Sequence, residues 1–191
     1  NIKKSFFRRL WLSIIAKSNA IIVRGNKSKE YLINCGINKE KLFIVNNNID
    51  LEKYHPQNIE KEYDVIFIGR LSHEKGHDIL ISAWSLLKNK FPNWCIKIVG
   101  DGPEREKYEK QIEDQDLKNI VDLVGKRLPI WPSYQEAKIF VLPSRIEGYG
   151  IALVEAMIMG CVCIATETEG PNTIIKNEDN GILVKTEGPE E

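Results

Sequence analysis

The chain has 191 residues, 42% of them hydrophobic, which suffices for one packed domain with additional elements. Its 27 basic and 27 acidic side chains give a formal net charge of zero, which excludes a general nucleic-acid surface, because phosphate-backbone binding draws on a basic excess. No stretch approaches the ~20 apolar residues of a membrane span, and the four cysteines and three histidines lack metal-ligand and redox spacing, so the chain is assigned to a reducing cytoplasm.

Residues 2–17 mix Lys3, Lys4, Arg8, Arg9 and Lys17 with Phe6, Phe7, Leu10, Trp11, Ile14 and Ile15, which predicts an amphipathic helix with a basic side. Its apolar stripe suits a neighbouring domain, the reading preferred here, or peripheral contact with a membrane surface. Residues 19–23 read as a short strand, 27–34 as a helix stopped by Gly36, and 42–45 as a second strand. Asn46, Asn47 and Asn48 follow, a run that tolerates left-handed turns. Residues 51–62 are polar, contain Pro56 and lack periodicity, and are read as a linker. The chain starts without methionine and stops where Gly188, Pro189 and Glu190 read as the beginning of another helix, so a fragment is expected.

From Tyr63 the pattern alternates regularly. Strands are predicted at 63–68, 95–99, 120–124, 139–142, 162–165 and 181–184. Helices are predicted at 76–89, 103–114, 133–137 and 151–159, with a helical turn near Thr173. Short apolar strands alternating with helices imply an α/β fold, a Rossmann-like parallel sheet flanked by helices. Ligands in such folds bind beyond the carboxyl ends of the strands, where glycine-containing loops follow Ile68, Val99, Val124 and Leu142.

Glu147 and Glu155 are the most informative residues. Pro143 ends a strand, Glu147 lies in the turn to the next helix, and Glu155 lies about one turn inside it. Gly148 and Gly150 leave the backbone bare, so a ligand can approach the N–H groups from Gly148 through Tyr149 to Ile151. Glu155 is surrounded by Ala152, Leu153, Val154, Ala156 and Met157. A carboxylate in such company needs a partner, and ribose hydroxyls would serve. Hydroxyls and phosphates together describe a sugar nucleotide. Paired carboxylates also occur in glycoside hydrolases, but cations matched to a diphosphate on the same sheet edge argue against that.

Those cations are in Gly69-Arg70-Leu71-Ser72-His73-Glu74-Lys75-Gly76. Arg70 offers a planar fork and Lys75 a mobile point charge; the plainer reading is two solvated surface cations. Gly100-Asp101-Gly102-Pro103-Glu104 has Arg105 where a nicotinamide-dinucleotide fingerprint needs its third glycine, so that reading is rejected. The loop reads as a tight turn or as a ligand contact. Gly125-Lys126-Arg127-Leu128-Pro129 reads as a nucleobase pocket or as an ordinary β-to-α turn.

Taken in order, the segments 67–76, 98–103, 142–160, 169–175 and 180–184 resemble the nucleotide-binding half of retaining glycosyltransferases of family 4, the glycosyl transferases group 1 set, which have the GT-B fold. The resemblance implies that residues 1–50 end an N-terminal acceptor domain and hinge. It makes 51–62 the linker and 63–191 the donor-binding domain, truncated at its C-terminus. It implies that Gly69, Arg70 and Lys75 hold the donor diphosphate, with Arg70 and Lys75 stabilising the leaving nucleoside diphosphate. Glu147 would touch the transferred sugar, the amides of Gly148, Tyr149, Gly150 and Ile151 would assist, Glu155 would bind the ribose, and Lys126 would join the donor site. No metal and no cofactor are implied; the substrate would be a UDP- or GDP-sugar. The acceptor would be a glycan or lipid-linked saccharide of cell-envelope synthesis, held by the half outside this chain, so the fragment alone should transfer little. At the hinge the family's Pro-Asn-Gly-Val-Asp is replaced by Asn46-Asn47-Asn48-Ile49-Asp50. An epimerase of the same fold would need further acid–base residues that are not found. A non-catalytic nucleotide-binding subunit is opposed by the intact Arg70, Lys75, Glu147 and Glu155.

Overall fold

The structure, a computed structural model, describes residues 2–45, 47–176 and 178–190, with side chains from Phe7 onward. The chain forms two compact units, Asn1–Asn48 and Ile49–Glu191. The first contains α1 (Ile2–Ala16), β1 (Ile21–Val23), α2 (Asn26–Asn34) and β2 (Leu42–Ile44), with β1 and β2 paired in parallel. Val23, Leu32, Ile37 and Leu42 make a small core, and Leu12 and Ile15 of α1 pack against it. Part of the apolar stripe of α1 is therefore used internally, while Leu10, Trp11 and Ile14 are exposed. Among the described residues no helix is long and apolar enough to cross a membrane. Gly36 stops α2 as expected: its φ is 88°, its N–H donates to the Ile33 carbonyl, and the Ile37 N–H donates to that of Leu32. Of the asparagine run, Asn46 lies outside the described residues, and Asn48 does not take a positive φ.

The second unit holds β3 (Tyr63–Ile68), α3 (His77–Leu87), β4 (Ile96–Val99), α4 (Arg105–Asp114), β5 (Val121–Gly125) and α5 (Trp131–Gln135). It continues with β6 (Ala137–Leu142), α6 (Ile151–Ile158), β7 (Val162–Thr166), α7 (Pro171–Ile174) and β8 (Ile182–Val184). Each predicted element is present, with shifted ends: α3 stops at Leu87, and α5 starts earlier, at Trp131. Segment 51–62 contains no helix or strand and belongs to this unit.

Six parallel strands pair in the order β5-β4-β3-β6-β7-β8. The chain moves outward from β3 through β4 to β5, then crosses back and moves the other way from β6. Beyond the carboxyl ends of β3 and β6 the connections diverge, which opens the crevice where such sheets hold ligands. Ile66, Phe67, Ile96, Ile98 and Phe140 are fully buried, as strands covered on both faces require. Lys97 is buried within β4, and its ammonium is held by the Glu136 carboxylate and lies 4.8 Å from the centre of the Tyr63 ring.

His77 opens α3 and is fully buried, edge-on to Phe67 at 4.3 Å and stacked on Tyr108 at 5.0 Å. Burial pushes its imidazole down to about 4, and the neighbouring Asp78 charge offsets this only in part. An unfolded histidine titrates near ~6.5, so between the two values the unfolded chain binds the extra proton. This contribution to stability is complete above pH ~6.5 and is lost as pH falls toward 4, at no more than ~1.4 kcal/mol per pH unit. Urea denaturation at pH 7 and pH 5 is expected to show a smaller pH effect in His77→Phe than in the parent; equal pH effects would contradict this assignment.

Candidate functional site

Two loops meet at the crevice, 69–76 after β3 and 143–150 after β6. Their backbones touch. A Cβ at Gly76, whose φ is 69°, would lie 1.9 Å from the Pro143 carbonyl oxygen. The N–H groups of Arg145 and Ile146 both donate to the Glu74 carbonyl, at 2.9 and 3.3 Å. The Arg145 guanidinium donates to both carboxylate oxygens of Asp78, at 2.7 and 2.8 Å, to the His73 carbonyl at 2.9 Å, and to Glu187 at 2.5 and 3.1 Å. Burial alone would raise the Asp78 carboxyl, but the Arg145 hydrogen bonds and charge prevail and hold it below the usual range. The same bonds to Asp78 and Glu187 raise Arg145. Sequence reasoning gave Arg145 no role, because its partners lie in segments far away along the chain.

This contact brings Lys75 to Glu147. The ammonium stands 2.7 Å from Glu147 Oε2, and both side chains are largely buried. Glu147 Oε1 accepts the Gly150 N–H at 3.2 Å, and the Glu147 carbonyl accepts the Gly170 N–H at 2.9 Å. Gly150, with φ 90°, starts α6. The Leu153 and Val154 N–H groups already reach the Gly150 carbonyl, which leaves those of Ile151 and Ala152 without a helical acceptor. A Cβ at Gly148 would meet nothing within 4 Å, so the backbone there is open to a ligand. Arg70 is exposed, and Gly69 beside it is half-buried. Cations and free amides thus share one rim, which suits an anion.

Glu155 lies in α6 with its carboxylate between two phenols. Tyr134 donates to Oε2 at 2.6 Å, and Tyr54 donates to Oε1. Tyr134 is fully buried, whereas Tyr54 comes from segment 51–62 and is half-buried. The carbonyl of neighbouring His55 accepts from the buried Gln135 amide at 3.0 Å, so that segment is fastened at two points. An aromatic residue in an otherwise polar stretch was the available signal for Tyr54.

The other two loops resolve less evenly. At Gly100 a Cβ would lie 1.8 Å from the Gly69 carbonyl oxygen, and at Gly102 one would lie 2.3 Å from that of Leu71. Leu71 N–H donates to Asp101, and Glu104 N–H donates to Leu71. These glycines admit the loop after β3, which accounts for them as a tight structural turn. Lys126 and Arg127 are exposed beyond the edge strand β5, two strands from β3 on the same edge of the sheet. Among the described residues no group of three or more His, Cys, Asp or Glu side chains is placed to hold a metal ion.

Residues 48–191 match the family model described as Glycosyl transferases group 1. The chain is 31% identical over 194 residues to the UDP-Gal:alpha-D-GlcNAc-diphosphoundecaprenol alpha-1,3-galactosyltransferase of Escherichia coli, covering 92% of this chain and 50% of that one. It is 30% identical over 149 residues to an uncharacterized glycosyltransferase of Haemophilus influenzae, covering 78% and 42%. It shares the fold of S. aureus TarM, with a TM-score of 0.84 at 24% identity over 95% of this chain and 37% of that one. It also shares that of Anabaena HepE in complex with UDP-glucose, with a TM-score of 0.84 at 23% identity over 94% and 53%. The chain spans half or less of the length of these curated relatives.

Gly76→Ala combines a left-handed backbone with a collision against backbone, and is expected to lower the unfolding free energy by about 2 kcal/mol or more. Chemical denaturation measures it; a neutral or stabilising effect would show that the two loops are not held in this contact.

Proposed function

The chain belongs to the glycosyl transferases group 1 family, and we propose that its second unit holds the nucleotide-sugar donor of a retaining glycosyltransferase of family 4. The observation that carries this reading is the Lys75–Glu147 pair at the start of α6, beside the open amides and the exposed Arg70. Lys75 has three donors and uses one on Glu147, so it retains capacity for a diphosphate. As the bond from the sugar's anomeric carbon to the diphosphate oxygen breaks and one to an acceptor hydroxyl oxygen forms, with loss of that hydroxyl's proton, charge builds on the leaving phosphate. Lys75, Arg70 and the amino end of α6 stabilise that charge without reorganising, which is electrostatic catalysis. Glu147, next to Lys75, addresses the transferred sugar. Glu155 takes the ribose hydroxyls, Gly69 and Gly148 to Ile151 offer backbone contacts, and Lys126 adds a cation toward the nucleotide. In this reading the protein's own cations do the work a metal would otherwise do.

The donor is a UDP- or GDP-sugar, with UDP favoured by the UDP-glucose in HepE. A lipid-linked saccharide acceptor in envelope glycan synthesis is supported by the undecaprenol-linked acceptors named for the E. coli relative and for one from Campylobacter jejuni. The acceptor would be held by the part of these enzymes that the chain does not span, on the cytoplasmic side and with peripheral membrane contact.

Calorimetric titration with UDP in the presence of a metal chelator is expected to show binding that Lys75→Ala weakens by about tenfold or more, the loss of a charge-assisted hydrogen bond to phosphate. Equal affinity in parent and variant would overturn the assignment of this loop.

A further inference from the structure

Glu155 has already been given the ribose, and the inference here rests on that reading. A carboxylate has about four acceptor sites, two on each oxygen. In this structure one site on Oε1 is taken by the Tyr54 hydroxyl and one on Oε2 by the Tyr134 hydroxyl. Among the described residues no other hydrogen bond reaches either oxygen, so one site remains on each. A carboxylate held by a single partner can turn about its terminal torsion, which has a broad energy profile; one held at both oxygens cannot turn without losing a charge-assisted bond. We propose that Tyr54 and Tyr134 are positioning residues that lock the Glu155 carboxylate so that its two remaining acceptor sites engage two adjacent hydroxyls together, which makes the site select a ribose over a 2′-deoxyribose.

Two further observations agree. Burial, together with the hydrogen bond and charge of Glu155, raises both phenols, so each stays a protonated donor at neutral pH. Neither tyrosine stands on the helix that carries Glu155. Tyr134 is in α5, and Tyr54 is 101 residues away from Glu155 in the segment that opens the second unit. The lock thus depends on three separate pieces of chain arriving together. The hydroxyl of Tyr54, on a half-buried ring, is the part that substitution can remove with least disturbance to packing.

The test is calorimetric titration of the chain with UDP, 2′-deoxy-UDP and pyrophosphate, with affinities normalised to pyrophosphate, in the parent, Tyr54→Phe, Glu155→Gln and the double variant. The parent is expected to prefer UDP over 2′-deoxy-UDP by roughly tenfold or more, the consequence of one missing hydrogen bond to a charged group. Tyr54→Phe should reduce that preference by about threefold or more, and Glu155→Gln should bring it close to one. The double variant should match Glu155→Gln, because Tyr54 acts through that carboxylate. A preference retained in Glu155→Gln would reject the ribose reading and the lock with it. A preference lost in Glu155→Gln but retained in Tyr54→Phe would reject the lock alone.

Discussion

The contact between Gly76 and the Pro143 carbonyl is the constraint from which the rest of the site follows. Parallel strands β3 and β6 lie side by side, but their outgoing loops meet only if no side chain stands between them, and a glycine in the left-handed region meets both demands. Once they meet, Arg145 can span from the β6 loop to the first turn of α3, and Lys75 comes within bonding distance of Glu147. The loop after β4 is admitted by the same means, with Gly100 and Gly102 against the carbonyls of Gly69 and Leu71. Backbone proximity is established first; the charges are then distributed on the scaffold it makes.

That distribution separates two jobs. Arg145 is bound by two carboxylates and a carbonyl and acts as a fastener, with its donors fully engaged in holding loops. Arg70 and Lys75, by contrast, keep hydrogen-bonding capacity at the rim, next to amides that no helical carbonyl satisfies. Burial sharpens the contrast. His77, one residue after Gly76, is driven neutral and serves as a ring between Phe67 and Tyr108. The carboxylate of Glu155 is kept in partly buried surroundings by two phenols.

Much of this was legible in the chain. Runs such as Ile96 to Val99 and Val65 to Ile68 are apolar at nearly every position, the mark of strands buried on both faces, and they located the parallel sheet. Glycine-containing loops after Ile68, Val99, Val124 and Leu142 marked its carboxyl edge, and Glu147, Lys75 and the start of α6 do come together there. What was not legible depended on contacts across long stretches of sequence. Arg145 reads as one more surface cation until Asp78, 67 residues away, is seen beside it. Tyr54 sits in a stretch without periodicity, and only the folded chain shows that its hydroxyl reaches Glu155. Strand order was equally hidden, because it is set by where each helix crosses the sheet and not by the pattern within any strand. The ambiguity at Gly100 and Gly102 also needed coordinates, since a glycine that admits a ligand and one that admits a neighbouring loop look the same in sequence.

If a nucleoside diphosphate occupies the crevice between β3 and β6, a crystal structure of the chain grown with UDP will show the diphosphate within hydrogen-bonding distance of Lys75 and the Ile151 N–H, with the ribose hydroxyls on Glu155. UDP bound elsewhere, with Lys75 and Glu155 touching no ligand atom, would exclude that site.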